Sequence, residues 1–247
     1  MNNDLRQAIA SAPMFDGLDA AHVDFLAAQS RAIFLPSGQV LFRKGTPSTG
    51  FYMVREGLMQ LSVSNSEGMV KVVEILRPGS AFGHAVMFVH EPYPVDATAL
   101  ADSHLVFVPA ATVDRVLDEN PAMARIMLAS MARRLQSTIQ DIAMLSLQSA
   151  TQRIVAYILG AVGAGPYDLG GAAGAPAAET SLGARSTSIE LPALKQVLAS
   201  RLGMTPETFS RAMRALSDRG LIRADGAVVR IPDVAALDTY ARSVSIL

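Results

Sequence analysis

The sequence predicts an α+β protein built from an N-terminal β-roll, a long helix and a C-terminal winged helix-turn-helix. Hydrophobic residues alternate with a period of two over much of the first half of the chain, and they recur with a helical period in the middle. Near the end, two short helical patterns separated by a glycine precede a hairpin signal. The expected boundaries are 1–118 for the β-roll, 119–148 for the long helix and 149–247 for the C-terminal domain.

The β-roll is expected to follow short helices within residues 4–30. From Ala32 to about Val108, short apolar runs alternate with turns that contain glycine, proline and acidic residues. Strands at this spacing, divided by glycine turns, indicate a small all-β roll or barrel. A short helix near 110–118 is expected to close this part of the chain.

The long helix is predicted to open at Asn120-Pro121 and to run to about Leu147, because its apolar residues follow the 3,4,3,4,3 spacing of a coiled-coil seam. The seam residues are Leu128, Met131, Leu135, Thr138, Ile142 and Leu145. A lone surface helix with one buried face would show the same stripe. This helix, however, also has a second apolar face, which consists of Met123, Ile126, Met127 and Ile139. One face can then pack on the β-roll while the other meets a second copy, so we expect a parallel homodimer.

A further helix is expected at 149–162. It is followed at 163–188 by a segment of low complexity that is rich in glycine and alanine. Such a composition is typical of a flexible surface insertion without chemistry of its own.

Residues 192–222 predict two helices joined by a tight turn. The first helix ends at Gly203, since glycine readily takes the left-handed conformation that terminates a helix. Thr205 can cap the second helix, and Pro206 suits its first position, where no backbone donor is needed. The second helix has an apolar face of Phe209, Ala212, Met213 and Leu216 and a polar face of Glu207, Ser210, Arg211 and Arg214. An ordinary amphipathic helix shows the same pattern, but glutamate can accept from cytosine and arginine can bind guanine, so this polar face can read base edges.

The residues after this helix pair favour DNA binding. Residues 221–231 contain two β-branched runs around Asp225-Gly226, a hairpin signal that would form a wing. Residues 191–231 hold seven basic and three acidic side chains, a net charge of +4, whereas the whole chain carries −1. This concentration of positive charge in one segment predicts double-stranded DNA as a partner.

Composition excludes several classes of function. The 247 residues include no cysteine, which excludes disulfides, thiolate zinc sites and cysteine-ligated iron–sulfur clusters. The sequence contains no P-loop, no G-x-S-x-G motif and no metal-binding histidine pair, so we expect a protein that is not an enzyme. The N-terminus lacks a signal-peptide pattern, and the apolar runs are far short of the roughly 20 residues that span a bilayer. These two features predict a cytoplasmic protein without membrane contact.

With these motifs in place, the chain resembles the superfamily of the cAMP receptor protein and the fumarate–nitrate reduction regulator over nearly its whole length. Within it, the chain is similar to the dissimilatory nitrate respiration regulators through FYMVREGLMQLSVSNSEGMVKVVEIL, HAVMF and TPETFSRAMRALSDRGLI. The resemblance implies a cyclic-nucleotide-binding-like sensor domain and a bacterial transcription regulator that works with RNA polymerase. It also implies that an effector in the β-roll controls how a homodimer presents two recognition helices.

The resemblance assigns roles within the second helix. The family's E-x-x-S-R arrangement falls on Glu207, Ser210 and Arg211, and in the fumarate–nitrate type this trio reads a TTGAT half-site. There, glutamate and arginine engage the G·C pair from its two strands, and the serine separates this operator type from that of the cAMP receptor. Phosphate contacts, which fix register, are expected from Thr205, Thr208 and Arg201.

The effector segment departs from that of the cAMP receptor, which holds its phosphate with a glycine, a glutamate and a later Arg-Ser pair. Here Gly83 is followed by His84, and Pro94-Val95 stands where Arg-Ser would lie. No arginine lies between Arg77 and Arg115 to neutralise a phosphate. A cyclic nucleotide is therefore disfavoured as the ligand.

Haem b suits this segment better. An apolar pocket is expected around Gly83 and His84, with His84 as the iron ligand, and its other lining residues are Phe82, Val86, Met87 and Phe88. Imidazole is a standard axial ligand of haem iron. The resemblance to the nitrate respiration regulators implies nitric oxide as the signal and denitrification as the setting. Two alternatives stay open: His84 is an ordinary hydrogen-bonded or solvated side chain, or the regulator responds to a small molecule without haem.

Overall fold

The computed structural model describes residues 2–15, 17–163, 186–191 and 195–244. The described chain divides into two compact units, with the boundary between Leu135 and Gln136. The helices of the first unit that precede the long helix are α1 (Asn2–Ala10), α2 (Ala20–Gln29), α3 (His84–Phe88) and α4 (Ala110–Glu119), with a 3-10 turn at Pro13–Phe15. The strands of this unit are β1 (Arg31–Leu35), β2 (Val40–Phe42), β3 (Gly50–Glu56), β4 (Met59–Ser64), β5 (Val70–Leu76), β6 (Ala81–Phe82), β7 (Asp96–Ala99) and β8 (Ser103–Pro109). Helix α3 lies between β6 and β7, so the predicted effector segment follows directly from a strand of the roll.

The eight strands form two antiparallel sheets, in the orders β1-β8-β3-β6 and β2-β7-β4-β5. Strands β3 and β8 are buried on both faces, because successive side chains point to opposite sides of a sheet. Tyr52 and Phe107 lie in a core shared by the two sheets, here called the sheet core. Phe51 and Val106 lie in a second core formed with α1, α2 and α4, here called the helical core. The two cores therefore share β3 and β8 as a common wall.

Helix α5 (Pro121–Leu147) has 27 residues. Its first turns pack into the helical core through Met123 and Met127. The remaining elements of the second unit are α6 (Ala150–Ala161), β9 (Thr187–Glu190), α7 (Lys195–Arg201), α8 (Pro206–Asp218), β10 (Arg223–Asp225), β11 (Val228–Ile231) and α9 (Val234–Val244). Its strands form one sheet in the order β10-β11-β9.

This architecture confirms the predicted α+β class with a β-roll, a long helix and a helix-turn-helix. Two expectations were wrong. Ile139, predicted to pack on the β-roll, is 59% exposed. The predicted insertion also extends too far, because Thr187 and Ser188 belong to β9; most of that segment, residues 164–185, lies outside the described residues. Among the described helices, none combines the length and the apolarity of a membrane span.

Candidate nucleic-acid interface and effector site

Helix α8 presents a polar face whose position follows from the way the helix begins. The Thr205 hydroxyl accepts a hydrogen bond from the backbone N–H of Thr208 at 3.2 Å, and Pro206 occupies the first turn. The inward face is buried and consists of Phe209, Ala212, Met213 and Leu216. The outward face is exposed and carries Glu207, Ser210, Arg211 and Arg214. The two-sided helix predicted from the sequence is therefore what the structure shows.

Glu207 and Arg211 lie one helical turn apart on this exposed face. The backbone N–H at the start of α8 holds the pKa of the Glu207 carboxyl below its ordinary value, aided by the Thr205 hydroxyl and by the positive charge of Arg211. Arg211 Nη2 lies 3.4 Å from the hydroxyl oxygen of Thr208. The face thus offers an ionised acceptor beside a guanidinium donor, which are the groups that bind cytosine N4 and guanine O6 and N7.

Arg201 does not join this surface. It is the last residue of α7 and is only 5% exposed. Its Nη2 donates to Oδ2 of Asp141 in α5 at 2.6 Å, so the pair ties α7 to α5 within the second unit. The expectation that Arg201 contacts a phosphate is therefore corrected. Thr205 and Thr208 lie at the accessible start of α8, and their phosphate contacts stay a prediction.

The predicted hairpin forms, with Arg223 in β10 directly opposite Arg230 in β11. Both arginines are exposed, whereas Val229 and Ile231 on the other face of β11 are fully buried. Sequence reasoning missed the third strand, β9, which pairs with β11 on its other side. No local pattern marked β9, because it follows directly on the low-complexity segment and its partner lies far along the chain. The wing therefore has three strands and adds positive charge to this unit.

His84 opens α3, and Gly83 just before it has a φ of 87°, in the left-handed region that favours glycine. The imidazole and the Phe51 ring form a T-shaped pair, with 6.3 Å between centroids. Burial, reinforced by the positive charge of Arg134, lowers the pKa of His84 to about 4. The ring is therefore neutral near neutral pH, and its buried Nδ1 has no hydrogen-bond partner. Within the described ranges, no three carboxylate or histidine side chains are grouped to hold a metal ion, so His84 is a single candidate ligand.

The apolar residues predicted to line one pocket around His84 do not converge there. Phe82 is 3% exposed and lies in the sheet core, whereas Met87 is 2% exposed and lies in the helical core. Val86 and Phe88 are divided between the two cores in the same way. The expectation of a single lining that includes Phe82 and Met87 is therefore corrected, since α3 bridges two separate cores.

A charged pair near His84 was missed by sequence reasoning. Glu74 on β5 is 7% exposed, and its Oε2 accepts a hydrogen bond from Nη2 of Arg134 on α5. The two residues are 60 positions apart, so no local pattern connects them. Arg134 also lies close enough to His84 to disfavour its protonation. Side chains from β5, α3 and α5 thus converge, and Glu74 already compensates the guanidinium charge that a phosphate would need.

Helix α5 leaves an apolar stripe exposed. None of the six predicted seam residues is buried, and Leu128, Leu135 and Ile142 are 65%, 63% and 60% exposed. The other three are Met131, Thr138 and Leu145. A row of exposed large apolar side chains indicates an interaction surface. That this stripe is the seam of a homodimer stays a prediction.

Comparisons with known proteins match both units. A model described as the cyclic nucleotide-binding domain matches residues 32–120, and one described as the Crp-like helix-turn-helix domain matches residues 152–240. The chain is 25% identical to the transcriptional activator protein anr of Pseudomonas aeruginosa over 81% of this chain and 75% of that protein. It is 32% identical to the crystallised DNR from Pseudomonas aeruginosa, covering 95% of this chain and 96% of that chain with a TM-score of 0.49.

A likeness of fold extends to a further solved structure, FixK2 from Bradyrhizobium japonicum. The TM-score is 0.70 at 18% identity, covering 85% of this chain and 96% of that chain. The two family models together account for the β-roll and the helix-turn-helix and match well over half of the chain. The chain is therefore a member of the Crp/Fnr family of bacterial transcription regulators, which combine a cyclic nucleotide-binding-like domain with a Crp-like DNA-binding helix-turn-helix.

Proposed function

We propose that the protein binds an inverted repeat of TTGAT and ATCAA half-sites through α8. The exposed row of Glu207, Ser210 and Arg211 supports this most directly. A carboxylate and a guanidinium one turn apart can engage both strands of one G·C pair. Ser210, which lies between them, matches the fumarate–nitrate type of recognition helix.

The proposal includes a homodimer that uses the exposed stripe of α5. A two-fold dimer presents its recognition helices to successive major grooves about one helical turn apart, so its operator is an inverted repeat. Leu128, Leu135 and Ile142 supply the apolar surface that a second α5 would bury. Once bound to its operator, the dimer works with RNA polymerase, in keeping with the family.

The proposed signal is nitric oxide, sensed through haem b held at His84. The donor chemistry of the site supports this, because His84 is neutral near neutral pH and its Nδ1 has no hydrogen-bond partner. Gly83 allows the backbone to turn into α3, and the partial burial of His84 keeps its imidazole neutral. When bound, haem supplies an iron centre that takes a diatomic gas.

A second candidate is a regulator with the same DNA specificity that responds to a small molecule without haem. The division of Phe82 and Met87 between two cores favours it, because the apolar walls that a haem ring needs are not assembled around His84. A cyclic nucleotide is less suited than either, since Pro94 and Val95 offer no positive charge and Arg134 is already paired with Glu74.

Absorption spectroscopy of full-length protein from haem-supplied cells, combined with operator binding with and without nitric oxide, tests this proposal. We expect a Soret band that His84→Ala weakens or shifts, with loss of the gas-dependent change in operator binding and an unchanged circular dichroism spectrum. His104→Ala is the matched control, because His104 packs against the exposed Phe34 ring on a different strand. An unchanged spectrum and response in His84→Ala would remove His84 from the site, and the lack of any Soret band would favour the second candidate.

A further inference from the structure

The side chain of Arg153 joins two helix ends within the second unit. Arg153 lies near the start of α6, and its Nε donates a hydrogen bond to the backbone carbonyl of Gln148 at 3.0 Å. Its Nη1 donates to the backbone carbonyls of Leu202 at 2.9 Å and of Gly203 at 3.0 Å. Gln148 follows the last residue of α5, and Leu202 and Gly203 follow the last residue of α7. One guanidinium therefore bonds the carboxyl ends of both helices.

The chemistry of these two helix ends suits a guanidinium. The last carbonyls of a helix have no partner within the helix, and the helix dipole places partial negative charge there. A guanidinium carries its donors on three nitrogens in a rigid fork, so it can hold carbonyls from two elements at once. A lysine ammonium has all its donors on one atom, and a methionine side chain has none. Lysine at position 153 would therefore weaken the bridge, and methionine would remove it.

The same helix ends connect the apolar stripe of α5 with the helix that carries the base-reading face. The last turns of α5 belong to the second unit, and they carry the exposed Ile142 of the proposed dimer stripe. Gly203 lies in the short turn that leads into α8. Arg201 of α7 also bonds Asp141 of α5 at 2.6 Å. The turn before α8 is thus attached to the end of α5 through two arginines, Arg201 from α7 itself and Arg153 from α6.

We propose that Arg153 is a positioning residue for operator binding, whose bridge fixes α8 relative to α5 and thereby sets the half-site spacing that the dimer accepts. The inference rests on the proposed function in taking α8 as the recognition helix and α5 as the dimer helix. Arg153 acts through the turn that precedes α8 and not through a contact with DNA. A dimer gains avidity only when both recognition helices reach their half-sites together, so a fixed α8 favours one spacing over all others.

The test measures how affinity depends on the distance between half-sites. Operators are first selected from random DNA with the full-length wild-type protein, so the test does not presume TTGAT half-sites. The space between the half-sites is then changed by one and by two base pairs, and affinity is measured at fixed salt for each operator and for an isolated half-site. Each added base pair moves a half-site by about 3.4 Å and rotates it by about 35°. Wild type should lose about a hundredfold in affinity at a shift of two base pairs, because the avidity of two linked contacts is lost.

Arg153→Met should bind the selected operator about tenfold more weakly than wild type, and its preference for the selected spacing should fall to about tenfold or less. Arg242→Met is the matched control, because it removes the same charge and a hydrogen bond to Asp238 within its own helix, α9. The control should keep the spacing preference of wild type, and the two variants should bind the isolated half-site alike. Arg153→Lys keeps the charge and one donor atom, so it should show an intermediate preference, and it decides the test if Arg153→Met fails to fold.

A spacing preference in both Arg153 variants equal to that of the control would overturn the inference. An equal loss of affinity in both variants at every spacing and at the isolated half-site would also overturn it, because a domain that is merely destabilised weakens all of these alike. Selected sites without a repeat would overturn the inference together with the proposed dimer. If the selected sites are TTGAT repeats and the preference survives without Arg153, the inference fails while the proposed operator stands. If the selected repeats have another sequence and the preference depends on Arg153, the inference stands while the proposed operator is wrong.

Discussion

Replacing Asp141 by alanine should destabilise the contact between α5 and α7. Arg201 and Asp141 have side chains that are only 6% and 15% exposed, and 2.6 Å separates Arg201 Nη2 from Asp141 Oδ2. Removing one partner of a buried ion pair typically costs about 3–5 kcal/mol. We expect the lower end of this range, because Arg201 lies in the last turn of α7, where the negative end of the helix dipole still favours a cation.

Amide hydrogen exchange in α7 and α8 of the full-length protein is the assay, since it reports local opening without assuming a two-state transition. Asp141→Ala should lose protection in these helices. The double variant Asp141→Leu with Arg201→Leu should recover most of it, because an apolar pair of similar volume often replaces a buried ion pair without loss. The double variant should also keep the wild-type salt dependence of DNA binding, since a residue that contacts no phosphate releases no counterion. Equal loss of protection in the single and double variants, or a shallower salt dependence, would refute this role for Arg201.

Two further predictions concern the first unit and α5. Leu135, which is 63% exposed in the single chain, would be covered in the proposed dimer, so Leu135→Asp would bury a charge there and should separate the dimer in sedimentation. Gln140→Asp, a change outside the apolar stripe, is the control and should leave a dimer. A stable Leu135→Asp dimer would place the interface elsewhere. In haem-free protein, His84 has a pKa of about 4 when folded, against 6.5 for an unperturbed histidine, so only the unfolded state gains a proton as pH falls through this window. The contribution of His84 to the free energy of unfolding should therefore be complete above pH 6.5 and fall by up to about 3 kcal/mol towards pH 4. In His84→Gln, the free energy of unfolding should fall less steeply over the same range. Parallel plots of unfolding free energy against pH for the two proteins would contradict a neutral His84 imidazole.

Local signals account for what the sequence could predict. The turn at Gly203, the cap at Thr205 and the alternating faces of α8 all depend on residues a few positions apart, and each appears in the structure where it was expected. The β-roll could also be predicted from the sequence, because its strands of alternating hydrophobicity are divided by turn residues. The apolar stripe of α5 also followed from its spacing, and Leu128, Leu135 and Ile142 are exposed; its role as a dimer seam stays a prediction.

Long-range pairing accounts for what could not be predicted. Arg201 and Asp141 are 60 residues apart, as are Arg134 and Glu74, and nothing in the sequence between them signals either contact. An arginine beside a recognition helix has the same local pattern whether it contacts DNA or a buried carboxylate. The division of Phe82 and Met87 between the two cores could not be predicted either, because the change from strand to helix at Gly83 decides which core each side chain enters.

Binding to operators that differ only at the G·C pair of each half-site, at fixed salt, tests base reading by α8 most directly. Wild type should lose about 1–3 kcal/mol per half-site when that pair is changed, whereas Arg211→Ala should bind both operators almost equally. Arg214→Ala, which alters another exposed arginine of the same helix, should keep the discrimination and serves as the control. If wild type and Arg211→Ala lose the same affinity across the change, Arg211 reads no base and α8 is not the recognition helix.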